Sequence, residues 1–399
     1  MGNALSRTVG AMFLLAAGLV ACSLLPERYA VNAPMIHMMS GWFGADAPEQ
    51  DLFGARIRVP SGFDVGVFAT EVPGVRFLRP LPGGGLVAST PRAGKVWLLA
   101  PDRDGDGRSD SSRVLLEGLE RPHGLDLYES WLYVAEGSGV GRVRIDPESG
   151  ELAGQYERVV NGLPEGGNHW SRTVRFGPDG WMYVSVGSSC NACVESDERR
   201  AAMLRFRPDG SEGEIFATGL RNSAGFDWRP GTDALYATDN GRDLLGDDFP
   251  PCELNLVRRG GFYGWPYANG DRVADPDLGG RSERVRNSIP PAHLFGAHVA
   301  PLGIVFLRNP ALPAEWRGTA LVALHGSWNR TSKSGYKVVS LHWDDDGNIA
   351  ERDFLVGFEE NENVIGRPVD VAEASDGTIY VSDDYASSIY WVKLGAAAP

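Results

Sequence analysis

The sequence predicts an all-β fold, a six-bladed β-propeller with four-stranded antiparallel blades. A short β-rich run recurs six times, as Leu86–Thr90, Leu132–Glu136, Met182–Val186, Leu235–Asp239, Leu321–His325 and Ile379–Asp383. The spacings, 46, 50, 53, 86 and 58 residues, mostly approach the roughly 40–50 residues of a four-stranded blade with its loops. Fifty-one glycines and 26 prolines punctuate the chain, and turns such as Pro178–Gly180 and Ser375–Gly377 immediately precede two of the runs. Long amphipathic helical patterns are scarce. The repeat defines one propeller domain over residues 56–396, with an insertion at about 260–300 in the long fourth interval.

Taken in chain order, the first 21 residues read as an export signal. Arg7 is the only charge ahead of the apolar run Val9–Val20, which at about 12 residues is shorter than the ~20 of a membrane span. Leu19–Cys22 resembles a bacterial lipobox, which implies lipidation of Cys22 as the first mature residue. An ordinary signal peptide or a short uncleaved anchor is the alternative. Ser23 is not the Asp that commonly holds lipoproteins at the inner membrane. The expectation is therefore a protein on the periplasmic side of the cell envelope, lipid-anchored to the outer membrane, with residues 22–55 as a tether. Hydrophobic residues at 43% and charged residues at 23% fit a globular domain beyond that point. The net charge of −14 disfavours nucleic acid as a partner. Neither G-x-x-x-x-G-K-[ST] nor a strand-placed G-x-G-x-x-G occurs, so nucleotide chemistry has no foothold.

Three cysteines remain in the exported chain, Cys190, Cys193 and Cys252. One disulfide and one free thiol is the simplest arrangement, either Cys190–Cys193 or one of these with Cys252. Cys193 is followed by Val194 rather than His, which excludes c-type haem attachment.

Propeller topology then places side chains. Each recurring run is the second strand of a blade, so the loops after it share a face with the loops before each innermost strand. Before the innermost strands come His123, Asn168 and His169, Arg221 and Asn222, His298 and Arg367. After the second strands come Glu136, Asn240 to Arg242, His325 to Arg330, and Asp383 with Asp384. Four of the seven histidines thus fall on one expected face. On a different loop, Asp102, Asp104, Asp106 and Asp110 with Gly107 match the start of a calcium loop, although Arg113 stands where a closing Glu would be. Structural calcium there competes with an acidic turn.

These residues and their order resemble the soluble quinoprotein glucose dehydrogenases and the related sorbosone and aldose dehydrogenases. The matching stretches are His169–Gly180, Gly219–Asn222, Glu253–Asn255, Gly260–Pro266, Val299–Pro301 and His325–Arg330, within residues 60–395. The resemblance implies pyrroloquinoline quinone and Ca2+ as cofactors. It implies oxidation of a sugar C1 hydroxyl to a lactone, with His169 as general base and Arg221 beside the quinone oxygen where negative charge develops. Asn222, Asn240, His298 and Arg367 fall on contacts to the quinone and its carboxylates. His325 and Arg330 are candidates, with Lys333, for a lysine of the fifth blade. The calcium ligands, backbone carbonyls, fall on Gly241 and Arg242. His123, Asn168 and Trp170 would face the sugar. The chain departs from the family where Asn168 replaces an Asp, Val369 an Arg and Arg242 a Pro. Electrons would leave to a separate acceptor. Two other readings compete, a calcium-dependent lactonase-like hydrolase and a non-catalytic binding propeller at the cell surface.

Overall fold

The computed structural model describes residues 47–395, so the expected signal, the lipidation position and most of the tether lie outside the described residues. Six four-stranded antiparallel sheets follow one another around an axis. From the innermost strand outward, the first blade is Leu78–Pro80, Leu86–Thr90, Lys95–Leu99 and Ser112–Leu116. The second runs from Leu125–Tyr128 to Leu152–Val160, and the third from Arg172–Phe176 to Glu214–Thr218. The fourth begins at Phe226–Trp228 and ends at His293–Ala297, while the fifth begins at Pro301–Phe306 and ends at Ile349–Leu355. The sixth joins both ends of the domain. Its inner strands are Pro368–Glu373, Ile379–Asp383 and Ser388–Leu394, and Phe63–Ala69 supplies the outermost. All six recurring runs are second strands, as expected.

The second strands read as they do because both of their faces are covered. Leu86–Thr90, Met182–Val186, Leu235–Asp239, Ala320–Leu324 and Ile379–Asp383 are buried at every position. Each sheet packs face to face on the next, so small and β-branched residues fill both sides. The apolar clusters accordingly straddle neighbouring blades; Leu132 and Val134 of the second blade pack with Val87 and Val96 of the first.

Polar side chains near the axis tie successive innermost strands together. The Asp126, Asp227 and Asp370 carboxylates accept the backbone N–H groups of Phe176 (2.7 Å), Phe306 (2.8 Å) and Leu78 (2.9 Å) in the following blade. Ser89, Thr173 and Thr238 donate to the carbonyls of His123, Ala224 and Leu302. Phe77, Ala224, Leu302 and Val369 form a separate buried apolar cluster among the inner strands.

Within the segment read as a tether, Gln50–Arg56 is a helix. Phe53 is buried and stacks on Tyr390 at 5.3 Å, and Arg56 donates to the Asn363 side chain at 3.0 Å. The 260–300 insertion adds Gly261–Phe262 in parallel to the outer strand of the third blade and carries the short helix Ser282–Asn287. No described helix is long and apolar enough to cross a membrane.

Candidate active site

The loops before the innermost strands and after the second strands meet at one axial mouth. His169 leads into the inner strand of the third blade, and Ser188 follows that blade's second strand. The His169 Nδ1 atom lies 2.7 Å from Ser188 Oγ and 3.2 Å from the Ser188 carbonyl. Ser188 Oγ donates its own proton to the Cys190 carbonyl at 2.8 Å. Both groups facing Nδ1 therefore act as acceptors, which puts the imidazole proton on Nδ1 and leaves a lone pair on Nε2. Burial, and then the Arg221 charge, push the imidazole down to about 3. It is a neutral base throughout the neutral range.

Gly187 allows this approach. A Cβ there would sit 2.5 Å from His169 Cβ and 3.2 Å from Asn222 Oδ1, so the backbone must be bare where the two side chains converge. Asn168, expected to stand beside the base, is exposed and contributes a backbone N–H to Ser189. Ser188 holds the ring instead. Its place after a second strand was the available signal.

Arg221 has no free N–H. Its five donors reach the Asn191 carbonyl (2.9 Å) and side chain (2.8 Å), the Asn240 (3.2 Å) and Gly241 (2.9 Å) carbonyls, and Asp243 (2.9 Å). It clamps the disulfide loop to the loop after the fourth blade's second strand, and acts on His169 through its charge. The clamped loop carries the Cys190–Cys193 disulfide, while Cys252 is a buried free thiol. Beneath Arg221, Asp239 accepts the backbone N–H groups of Arg221 and Asn222 and stands in register with Glu253. Burial raises Asp239 to about 7, and burial with the Asp239 charge raises Glu253 to about 8.

Across the mouth, Asp384 accepts from His325 Nε2 at 2.8 Å and from Arg76 at 2.7 Å. Burial opposes its ionisation, but His325, Arg76 and Arg367 outweigh burial and hold Asp384 well below the usual carboxylate range. Arg367 donates to the His325 and Gly326 carbonyls. Arg76 occupies in the first blade the topological position of His123 and His169, and its place before an innermost strand is the signal for it in the sequence. His123 is buried against Phe77, with ring centroids 4.5 Å apart, and meets Trp170 edge-on at 5.7 Å. His298, in a left-handed conformation (φ 63°), points Nε2 at the Gly246 and Phe249 carbonyls. Arg330 braces Asp247 and Asp248. These last two side chains secure a loop rather than present free donors.

The geometry tests the two implied cofactors differently. The buried polar atoms without a protein partner on this face include Arg76 Nε, His123 Nε2, Asn240 Oδ1 and Asn329 Oδ1. Arg76 Nε, the Asn222 amide and the Arg367 charge fit the oxygens of a planar anion, whereas Asn240 Oδ1, Asn329 Oδ1 and the Nε2 lone pair of His123, whose Nδ1 faces the Arg172 carbonyl, are acceptors for the N–H or O–H donors of a ligand. The expected calcium position does not fit. The Gly241 carbonyl already accepts from Arg221, so an ion there would lie against a guanidinium. The Arg242 side chain turns away to Asp275 (2.7 Å) and Asp277 (3.1 Å). In the acidic loop, carboxylates of Asp102, Asp104 and Asp110 converge, whereas Asp106 does not join them and instead caps Arg108 N.

The fold and this mouth together define a six-bladed propeller with polar side chains converging on one axial opening. A profile of the glucose/sorbosone dehydrogenase family matches residues 128–391, and the chain belongs to that family. An uncharacterised protein of Borreliella burgdorferi is 31% identical over 293 residues, covering 70% of this chain and 77% of its own length. The pyrroloquinoline quinone-dependent pyranose dehydrogenase of Coprinopsis cinerea is 25% identical over 359 residues. That match covers 73% of this chain and 48% of the fungal enzyme, so the chain spans about half the length of that relative. The solved holo form of the quinone domain of Coprinopsis pyranose dehydrogenase shares the fold, with a TM-score of 0.73 at 22% identity over 85% of this chain and 97% of that one.

Proposed function

We propose that the protein oxidises the C1 hydroxyl of an aldose-type sugar to the lactone, with pyrroloquinoline quinone as hydride acceptor and His169 as general base. The observation that carries this reading is the fixed tautomer of His169, whose Nε2 lone pair is free at the axial mouth while Nδ1–H is held by Ser188. Membership of a sugar dehydrogenase family and the quinone dependence of the Coprinopsis relative support the same chemistry.

Each side chain then has a task. His169 accepts the hydroxyl proton at Nε2, and the Ser188 oxygens face the charge that appears on the ring. Asn222, Asn240, Arg76 and Arg367 would hold the quinone, the guanidiniums taking its carboxylates. The bound quinone supplies the two-electron acceptor. Arg221 fixes the loops that carry these groups and adds positive potential. Trp170, with Arg121 over its ring at 5.2 Å, offers an aromatic wall for a sugar. Ca2+ at Gly241 and Arg242 is not part of the proposal. The Cys190–Cys193 disulfide supports placement in an oxidising compartment, consistent with export and lipidation at Cys22. Electrons would pass to a separate acceptor.

A lactonase would require an axial ion held by acidic side chains. Among the described residues, the only groups of three potential ligands are Asp102, Asp104 and Asp110 in a peripheral loop, and Glu195 beside the disulfide. The deciding experiment supplies purified protein with the quinone and a panel of aldoses, and follows reduction of a dye acceptor. Quinone-dependent turnover supports the proposal. Failure to perturb the quinone spectrum and to oxidise any aldose would leave a binding propeller.

A further inference from the structure

A second axial cavity, of about 500 Å3, opens on the face opposite His169. Its lining comes from the inner strands and the turns that follow them, and all six blades contribute. Charge alternates around it. Arg79, Arg175 and Arg308 come from the first, third and fifth blades, and Asp126, Asp227 and Glu373 from the second, fourth and sixth. Two of the arginines are neutralised locally. Arg79 pairs with Asp126 at 2.9 Å, and Arg308 grips both oxygens of Asp227 at 2.8 Å. Glu373 accepts the backbone N–H groups of Arg308 and Asn309.

Arg175 is different. It is 8% exposed, lines the cavity, and makes no side-chain hydrogen bond or ion pair among the described residues. Its charge favours ionisation of the buried Asp370, whose Oδ2 accepts Leu78 N while its Oδ1 has no partner. None of its nitrogens is among the buried polar atoms that lack a partner, so the guanidinium meets the open space of the cavity with its N–H donors uncommitted to protein. The carboxylates that line the cavity, Asp126, Asp227 and Glu373, already serve other donors, and Arg229 at the rim makes four lining guanidiniums against these three in a chain of net charge −14. The cavity is roomy enough for a ligand of several heavy atoms, and a planar fork of N–H donors matches two oxygens of one anion.

We propose that this cavity is a binding site for a small oxyanion, a carboxylate or a phosphate, held with two oxygens on the Arg175 guanidinium. It is separate from the dehydrogenase mouth, because the buried cluster of Phe77, Ala224, Leu302 and Val369 fills the inner strands between them, directly under His123.

The test uses the whole protein without quinone. Calorimetric titration and thermal melts at fixed ionic strength compare inorganic phosphate, malonate and chloride. Saturable millimolar or tighter binding of phosphate or malonate, with a rise in Tm that chloride does not give, is expected, and the stronger of the two identifies the class. Arg175→Gln should weaken that binding at least about tenfold, and Arg175→Lys should weaken it less because the charge remains. Absence of saturable binding by either anion, or equal binding by Arg175→Gln, overturns the proposal. If Arg175→Gln does not fold, native crystals soaked in selenate decide. An anomalous peak within hydrogen-bond reach of Arg175 supports the site, and peaks only elsewhere overturn it.

Discussion

The low basicity of His169 gives the proposed reaction an unusual acid limb. An ordinary imidazole titrates near 6.5, and about 3% of it is unprotonated at pH 5, so an enzyme relying on it would lose about 30-fold in kcat/KM between pH 7.5 and pH 5. His169 is pushed down to about 3 by burial and by Arg221. At pH 5 about 99% of such a ring remains a base, and kcat/KM should stay within about twofold of its value at pH 7.5. The sign also bears on stability. A histidine with a depressed folded value favours the native state above the unfolded value of ~6.5 and loses that contribution as pH falls toward 3. Circular dichroism at pH 5 should therefore accompany the kinetics. The companion variant is His169→Gln, which keeps size and polarity but has no lone pair of comparable basicity. It should lower kcat by about 10²–10⁴ at saturating quinone, while the quinone concentration for half-maximal activity moves less than about threefold. A 30-fold fall at pH 5 in folded native enzyme would refute the assigned burial of the base. A His169→Gln enzyme within tenfold of native would refute the assignment of the base itself.

Three further outcomes follow from the same geometry. Ser188→Ala removes one of two acceptors on Nδ1, a loss of about 1 kcal/mol, and should lower kcat about fivefold with little change in KM; an unchanged kcat would show that Ser188 does not hold the ring. Glu253→Gln should flatten the stability profile, because a carboxyl raised to about 8 makes the native state bind the extra proton and lose stability as pH rises from ~4.5 through 8. Melts at pH 9 should then place the variant about 2 °C or more above the native protein, with the two coinciding at pH 5; a lower variant Tm at pH 9 would contradict the burial argument. Reduction of Cys190–Cys193 should depress kcat through the Ser188–Cys190 contact, and the Cys252 thiol should react with a thiol reagent only after denaturation.

The architecture was legible because it is written in repetition. Second strands such as Met182–Val186 are buried on both faces, so their composition is fixed six times over, and the topology that follows assigns each loop to a face without any coordinates. That is why His123, His169, Arg221, His298, His325 and Arg367 could all be placed at one mouth. Sequence could not show which of their donors are engaged. Arg221, His298 and Arg330 occupy the expected loops, yet their N–H groups close onto carbonyls and carboxylates of neighbouring loops, and those contacts depend on loop paths that no period encodes. The insertion illustrates this, since Trp265 reaches back to the Asn191 carbonyl at 3.3 Å and helps to fix the loop that Arg221 clamps.

The departures from the family at Asn168 and Val369 look different once the side chains are in place. Asn168 is exposed, and the imidazole takes its orientation from Ser188 across the blade, so loss of an acidic neighbour does not free the ring. Val369 is buried with Phe77, Ala224 and Leu302, directly under the His123 ring. An arginine there would bring an unpaired charge into an apolar plug. Beside Arg221 and Arg367, this mouth has a further positive charge in Arg76 of the adjoining first blade, paired with Asp384 on the same carboxylate that holds His325. On the proposed reading, Arg76 takes the cationic role that the family gives to the position of Val369. Arg76→Met should weaken quinone binding while leaving kcat at saturation nearly intact, and the mirror variant Val369→Arg should destabilise the fold without improving affinity. A spectroscopic titration of the quinone against both variants separates the two ideas. Unchanged affinity in Arg76→Met, or tighter binding in a folded Val369→Arg, would return the cationic role to the family position.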